Sequence, residues 1–276
     1  TRRPITLINT ARGCPFLCTY CAVPVVSGQR IKMRSPESVV EEIQECVDKY
    51  GIRDFFFRAD TFTWDKKWVI RICQLIVEKG LKIRWGANSR ADSIDEERLI
   101  WLKKAGCYVL AFGAESAHQE TLDKVKKKLR VEQTVKAVHL TKKHGIKVYL
   151  LMMIGFAWET PKMIQETIDF ACDLPADFAE FAIPYPLPGT EMEKLYKEMN
   201  LIRGETLTGH DYTDPTVDSL HCTRDQLLDF RRKAITKFYS RPSRVLRHLA
   251  SIRSPYVALN YAKAGLRLAK KLATLK

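Results

Sequence analysis

Between residues 50 and 150 one pattern of polar and apolar positions returns four times: a helix-like stretch, a glycine, then a β-rich run. The phrases are KYGIRDFFF, EKGLKIRWG, KAGCYVLAFG and KHGIKVYLLM, with Gly51, Gly80, Gly106 and Gly145 at the junctions. Glycine suits the left-handed position just past a helix end, so each phrase reads as helix, cap, strand. Helix starts are marked too. Ser35 followed by Pro36, and Thr160 followed by Pro161, are N-cap and first-turn pairs. The pattern predicts strands near 5–9, 53–58, 82–88, 107–113, 146–154 and 178–183, each followed by a helix. Alternating strands and helices with mostly apolar strands imply a parallel sheet covered by helices. Six such units suit a doubly wound sheet or an incomplete β/α barrel.

Composition narrows the setting. At 46 % hydrophobic and 28 % charged residues the chain has the make-up of a globular protein with a sizeable core. No run of about 18 uncharged apolar residues appears, and the first residues lack a secretory signal. The chain starts without Met, and a fragment with sequence missing upstream is expected. Cys46, Cys73, Cys107, Cys172 and Cys222 are scattered singly and read as buried free thiols, which points to the cytoplasm. The net charge of +14 is uneven: nine cations and no acid follow from Arg241 onward. A nucleic-acid face across the whole protein is therefore not required. In this tail Lys263, Arg267, Lys270 and Lys271 recur at helical spacing beside Leu259, Ala262, Leu266 and Ala269. Such a helix packs on the barrel or an upstream domain, or lies on an anionic membrane surface.

The remaining three cysteines carry the chemistry. Cys14, Cys18 and Cys21 follow C-x-x-x-C-x-x-C in TARGCPFLCTYCAVP. Pro15 and Pro24 oppose one uninterrupted helix with three cysteines on a face. A structural zinc site wants a fourth nearby ligand, and a disulfide would leave one thiol over. Three thiolates on a short loop suit an iron–sulfur cluster with one iron left open.

This loop, with aromatic Tyr20 before its last cysteine, resembles the hallmark of the radical SAM superfamily. The resemblance spans about residues 5–200. It is nearest to the branch whose members often carry an upstream cobalamin-binding domain, and to the similar methylthiotransferases. It implies a partial (β/α)6 TIM-like barrel over residues 1–215, with a C-terminal basic helical extension at 216–276. It also implies a 4Fe-4S cluster whose open iron binds S-adenosylmethionine. One electron then cleaves that cofactor to a 5′-deoxyadenosyl radical, which takes hydrogen from a substrate for methylation or a related C–C or C–S bond-forming step.

Strand-end motifs extend the match. FRADTFTWD departs from the Gly-Gly-Glu form, yet Asp60 is placed to accept from the cofactor ammonium, or else to cap the next helix. WGANSRAD implies that Arg90 lies near the cofactor carboxylate; the alternative is a surface ion pair with Asp92 or Asp95. FGAESAHQETL implies that Glu115 and Ser116 reach the ribose or methionine part. Lys127, within a run of three lysines, reads as a solvated side chain. MMIGFAWET matches at Gly155, Glu159 and Thr160, with Trp158 expected to fill space over the adenine or substrate. Pro188, Gly189 and Thr190 read as a turn and helix start. The resemblance implies a small-molecule or lipid-like substrate, a reductant protein such as flavodoxin or ferredoxin, and cobalamin only through an upstream domain, since D-x-H-x-x-G is absent here. The contrasting expectation is a non-catalytic zinc or iron–sulfur module that docks anionic partners through the tail.

Overall fold

The computed structural model describes residues 4–203, 216–242, 244–246, 258–260, 262–263 and 265–266. The chain opens with β1 (Ile5–Asn9), β2 (Ala11–Arg12), α1 (Val23–Val26) and β3 (Lys32–Met33). Alternating units follow: α2 (Pro36–Tyr50), β4 (Asp54–Arg58), α3 (Lys66–Glu78), β5 (Arg84–Ser89), α4 (Glu96–Lys104) and β6 (Cys107–Glu115). Next come α5 (Gln119–Lys124), α6 (Val131–Lys143), β7 (Lys147–Met153), α7 (Pro161–Asp173) and β8 (Phe178–Ala182). The last helices are α8 (Glu191–Glu198) and α9 (Arg224–Tyr239). All six predicted strands are present.

The glycines at the four junctions are left-handed, with φ between 62° and 89°. Both predicted caps form. Ser35 Oγ accepts from the Ser38 amide and Thr160 Oγ1 from the Met163 amide, each with a proline in the first turn. These contacts satisfy amides that a helix start leaves without partners.

Strand order decides the architecture. The sheet runs β1-β4-β5-β6-β7-β8, every pair parallel and every neighbour consecutive along the sheet. Crossovers between parallel strands are right-handed, so an unreversed order puts successive helices on one face and curls the sheet. Helix α2 accordingly packs on α3, and α3 on α4. A doubly wound sheet would need a reversal, and none occurs. The strands β1 and β8 end the sheet without pairing with each other, so the barrel is partial.

Aromatic packing consolidates the layer under the site. Phe57 stacks on Trp85 at 4.3 Å, and Phe62 meets Trp85 edge-on at 5.4 Å. Trp85 satisfies its indole N–H on the Ala105 carbonyl at 2.8 Å. Each such fully buried ring contributes about 1.5–3 kcal/mol. Beyond β8, α9 lies against β8 and α7, burying Leu227, Ala234 and Phe238. The 215/216 boundary expected from the sequence falls beside residues outside the described ones, as do Arg267, Lys270 and Lys271 of the tail. Among the described residues no helix is long and apolar enough to cross a membrane.

Candidate active site

The cysteine loop follows β1 and β2, so it stands over the C-terminal ends of the parallel strands, where barrel chemistry collects. Cys14, Cys18 and Cys21 are free and half-buried. The loop does not continue as one helix; only the short α1 follows, with Pro24 in its first turn. Asp60, at the end of β4, pins the loop by accepting from the Gly13 amide at 2.7 Å. A side chain at Gly13 would meet the Arg30 carbonyl oxygen at 2.2 Å, so only glycine lets the loop pass this close. Thr61 Oγ1 lies 3.9 Å from Cys14 Sγ. The cap of the next helix is Asp65, not Asp60.

The opposite side of the loop rests on a buried polar network. Lys127 Nζ donates to Glu115 Oε1 at 2.6 Å and to the Tyr20 hydroxyl at 3.0 Å. Tyr20 in turn donates to Glu115 Oε1 at 2.9 Å. Lys127 is therefore not the solvated side chain that its lysine run suggested; it is 7 % exposed. The reason is local. Lys126, Lys127 and Lys128 follow α5 in a kinked stretch, with positive φ at Lys126 and Lys128. Burial alternates across it: Val125, Lys127 and Leu129 face in, while Lys126 and Lys128 face out. Gly113 leaves room, since a Cβ there would lie 2.6 Å from Glu115 Oε1 and 2.8 Å from Lys127 Nζ.

Arg90 sits next to this network. Its guanidinium grips Asp92 through Nε (3.0 Å) and Nη2 (2.8 Å) and donates to the Lys127 and Lys128 carbonyls at 3.0 and 3.1 Å. It also stacks on Phe16 of the cysteine loop at 3.6 Å, and Phe16 packs edge-on against Trp64. The ion pair with Asp92 thus exists, joining a buried Arg90 to an Asp92 that lies at the surface.

Electrostatics follow from this placement. Burial pushes the Cys18 thiol up, and the cations of Lys127 and Arg90 pull against it. Burial likewise pushes Cys21 up, opposed by the Val23 amide, which donates to its sulfur at 3.4 Å. Cys14 and Cys18 add to the upward push on Cys21, so the three thiols lie within electrostatic reach of one another. Among the described residues no three His, Cys, Asp or Glu side chains converge around a point that would hold a single ion.

A second shelf is built on Glu159, which is fully buried. Its Oε2 accepts from the Gly155 and Phe156 amides at 2.9 and 3.2 Å, and its Oε1 from the Ser116 and Thr121 hydroxyls, both at 3.2 Å. Ser116 is thereby turned toward Glu159 and Thr167. Gly155 has φ 86°, and a Cβ there would lie 2.4 Å from Leu227 of α9. The Trp158 ring is taken up by the protein, stacked on Phe156 at 5.6 Å with its N–H on Thr121. Thr190 caps α8 as expected, and Met192 of that helix donates its amide to the Thr19 carbonyl of the cysteine loop at 2.9 Å.

The structure thus gathers Cys14, Cys18, Cys21, Asp60, Arg90 and Glu115 around one loop, with Ser116 and Gly155 on the adjoining shelf. Sequence reasoning missed Lys127 as an interior group, and Phe16 and Gly113 altogether. The in–out alternation of Val125, Lys127 and Leu129 was the available signal for Lys127.

The chain is similar to several known proteins. The chain is 36 % identical over 248 residues to an uncharacterized methyltransferase of Pyrococcus horikoshii, covering 89 % of this chain and 54 % of the relative. It is 28 % identical over 240 residues to an anaerobic magnesium-protoporphyrin IX monomethyl ester cyclase of Cereibacter sphaeroides, covering 85 % of this chain and 39 % of the relative. The chain thus spans about half the length of these relatives or less. Among solved structures, the radical S-adenosylmethionine methyltransferase TsrM of Kitasatospora setae, with cobalamin and a [4Fe-4S] cluster bound, superposes with a TM-score of 0.67. That match has 22 % identity and covers 84 % of this chain and 47 % of that one, and it speaks for the fold. The family model of the Radical SAM superfamily matches residues 8–171, from the end of β1 into α7, and so takes in the cysteine loop and strands β4 to β7 of the sheet. Loop, partial barrel and sequence match lead to one conclusion: the chain belongs to the radical SAM superfamily.

Proposed function

We propose that these residues form the core of a radical S-adenosylmethionine enzyme of methyltransferase type, with Cys14, Cys18 and Cys21 holding a 4Fe-4S cluster. The observation that carries the reading is the set of three half-buried free thiols on one loop, with the buried cations Lys127 and Arg90 beside Cys18. Three thiolates are a costly concentration of negative charge, and two cations held by the fold offset it. The donor set fits a cluster with one unligated iron and falls short of the four donors of a structural zinc site. Bound there, the cluster supplies an electron for reductive cleavage of S-adenosylmethionine and an open iron to hold it.

The chain's own residues do the positioning. Asp60 spends one carboxylate oxygen on Gly13 and keeps the other to accept from an ammonium. Arg90 keeps Nη1 without a partner among the described residues, toward a carboxylate. The hydrogen bonds to Glu115 all fall on Oε1, leaving Oε2 to accept from ribose hydroxyls, with Ser116 and Gly155 on the adjoining shelf. The reaction class follows the relatives' names, methyl transfer or ring closure on a small-molecule or lipid-like substrate. Cobalamin belongs to the same proposal, held by sequence outside these residues, and none of the residues described here is assigned to it.

Anaerobic reconstitution of the wild-type chain should give about four irons per chain. Cys18→Ala should lose them and Cys73→Ala, a core thiol, should keep them. Bound zinc without iron, or iron retained in Cys18→Ala, contradicts the assignment.

A further inference from the structure

The two faces of the sheet differ. Phe55, Phe57, Trp85 and Ala87 are buried in the core shared with the helices, whereas Phe56, Arg58 and Asn88, which alternate with them, are reached by solvent. Because successive helices lie on the first side, the second is the concave face of the partial barrel, below the cysteine loop.

Near the C-terminal ends of its strands, three hydrogen-bond donors stand side by side on this concave face. Asn9 is in register with Arg58 in the β1–β4 pair. Arg58 and Asn88 each follow a registered residue, Phe57 and Ala87, so they share one level of the β4–β5 pair. Neighbouring strands are about 4.8 Å apart, so the three side chains can meet one ligand. The other charges on this face have partners. Asp54 pairs with Arg84 at 3.8 Å, Glu180 accepts from the Tyr149 hydroxyl at 3.1 Å, and Lys147 lies 5.7 Å from the centre of the Phe178 ring. The Arg58 guanidinium and the side-chain amides of Asn9 and Asn88 make no hydrogen bond, ion pair or ring contact among the described residues. Asparagine is a poor strand former, so two of them flanking a cation go against local preference.

We propose that Arg58, flanked by Asn9 and Asn88, binds an oxyanion of the substrate, so that the substrate is a small molecule carrying a carboxylate or a phosphate. This rests on the radical S-adenosylmethionine reading above and names the substrate class of that site. A guanidinium presents paired N–H donors in one plane and each amide adds its own, a set that matches the oxygens of either acid. Arg58 precedes Asp60, the residue given to the cofactor ammonium, by two positions, or about 7 Å of strand. An acid group held at Arg58 thus keeps the rest of a substrate next to the cofactor.

The test reads Arg58 directly. The reconstituted chain is treated with phenylglyoxal, which modifies accessible guanidiniums, and the rate at Arg58 is followed by peptide mass spectrometry. The samples contain phosphate, acetate or chloride at equal ionic strength. A guanidinium and two amides should hold an oxyanion with a Kd of about 1 mM, so about 10 mM phosphate or acetate should slow modification about tenfold. The more protective of the two identifies the acid. Arg30, exposed and outside the strands, should react at one rate throughout. Asn88→Ala should raise the anion concentration needed about fivefold while iron content stays unchanged. Equal slowing at Arg58 and Arg30, or no slowing at Arg58, in a protein with its full iron content overturns the anion site and leaves the cluster standing. Shielding of Arg58 by S-adenosylmethionine and by neither anion assigns it to the cofactor and also overturns the proposal. Wild-type protein that takes up no iron overturns the reading on which the proposal rests.

Discussion

Glu115 holds a left-handed backbone at φ 64°, a conformation that costs a non-glycine residue roughly 1–3 kcal/mol. The strain points its carboxylate at Tyr20 and Lys127 beneath the cysteine loop. A buried pair of this kind adds little net stability while intact, but removing one partner strands a charge in the interior. Lys127→Met should therefore lower unfolding stability by about 3–5 kcal/mol in urea denaturation. Adding Glu115→Gln to that variant should recover much of the loss. If the single variant melts like wild type, Lys127 does not carry the charge balance of the network. At this scale the three cysteines were legible because ligand spacing is local in sequence. The inward turn of Lys127 left only a faint local trace, the alternation of Val125, Lys127 and Leu129, and the room for it comes from Gly113 in a different element.

Among the elements, Glu159 does most of the joining. One carboxylate ties the loop after β7 to the end of β6 and to α5. Burial raises its pKa above the usual carboxylate value, more than the four donors lower it. A carboxyl whose pKa is raised on folding stabilises fully below its unfolded pKa, and that contribution fades as pH rises through the folded value. The stability of wild type relative to Glu159→Gln should accordingly shrink as pH goes from about 4 to about 7, read from urea midpoints at each pH. A difference that stays flat across that range would mean that the donors hold Glu159 ionised throughout. The helix starts at Ser35, Thr160 and Thr190 were readable because a cap is a contact over three residues. The joining role of Glu159 spans 43 residues to Ser116, and nothing in its own neighbourhood announces that partner.

For the whole molecule, the first part of the basic tail closes the fold. Arg241 donates to the Cys172 carbonyl and pairs with Asp173. Arg244 is 3 % exposed and donates to the carbonyls of Ala176, Phe238, Cys172 and Leu174 at 2.9–3.2 Å, with its guanidinium 3.5 Å over the Phe238 ring. A cation suits the C-terminal end of α7, where carbonyls lack partners. A chain ended after Ser240 should thus be about 2–3 kcal/mol less stable than one ended after Leu246. Equal stability of the two truncated chains in urea would show that Arg244 is dispensable. In the sequence Arg244 is only one of nine cations in an acid-free tail; the fold turns it onto backbone carbonyls.

What the sequence determined by itself is what repeats or stays local: six strands, helix caps, left-handed glycines and a three-thiol loop. Each follows from contacts within a few residues, so no partner element is needed to read it. Tertiary structure decided the rest. The unreversed strand order made the sheet a partial barrel rather than a doubly wound one. Packing also sent Lys127 and Arg90 inward, because the carboxylate, carbonyls and ring that satisfy them come from other strands and loops. A buried charge is stable only where its partners meet it, and those meetings are set by the fold.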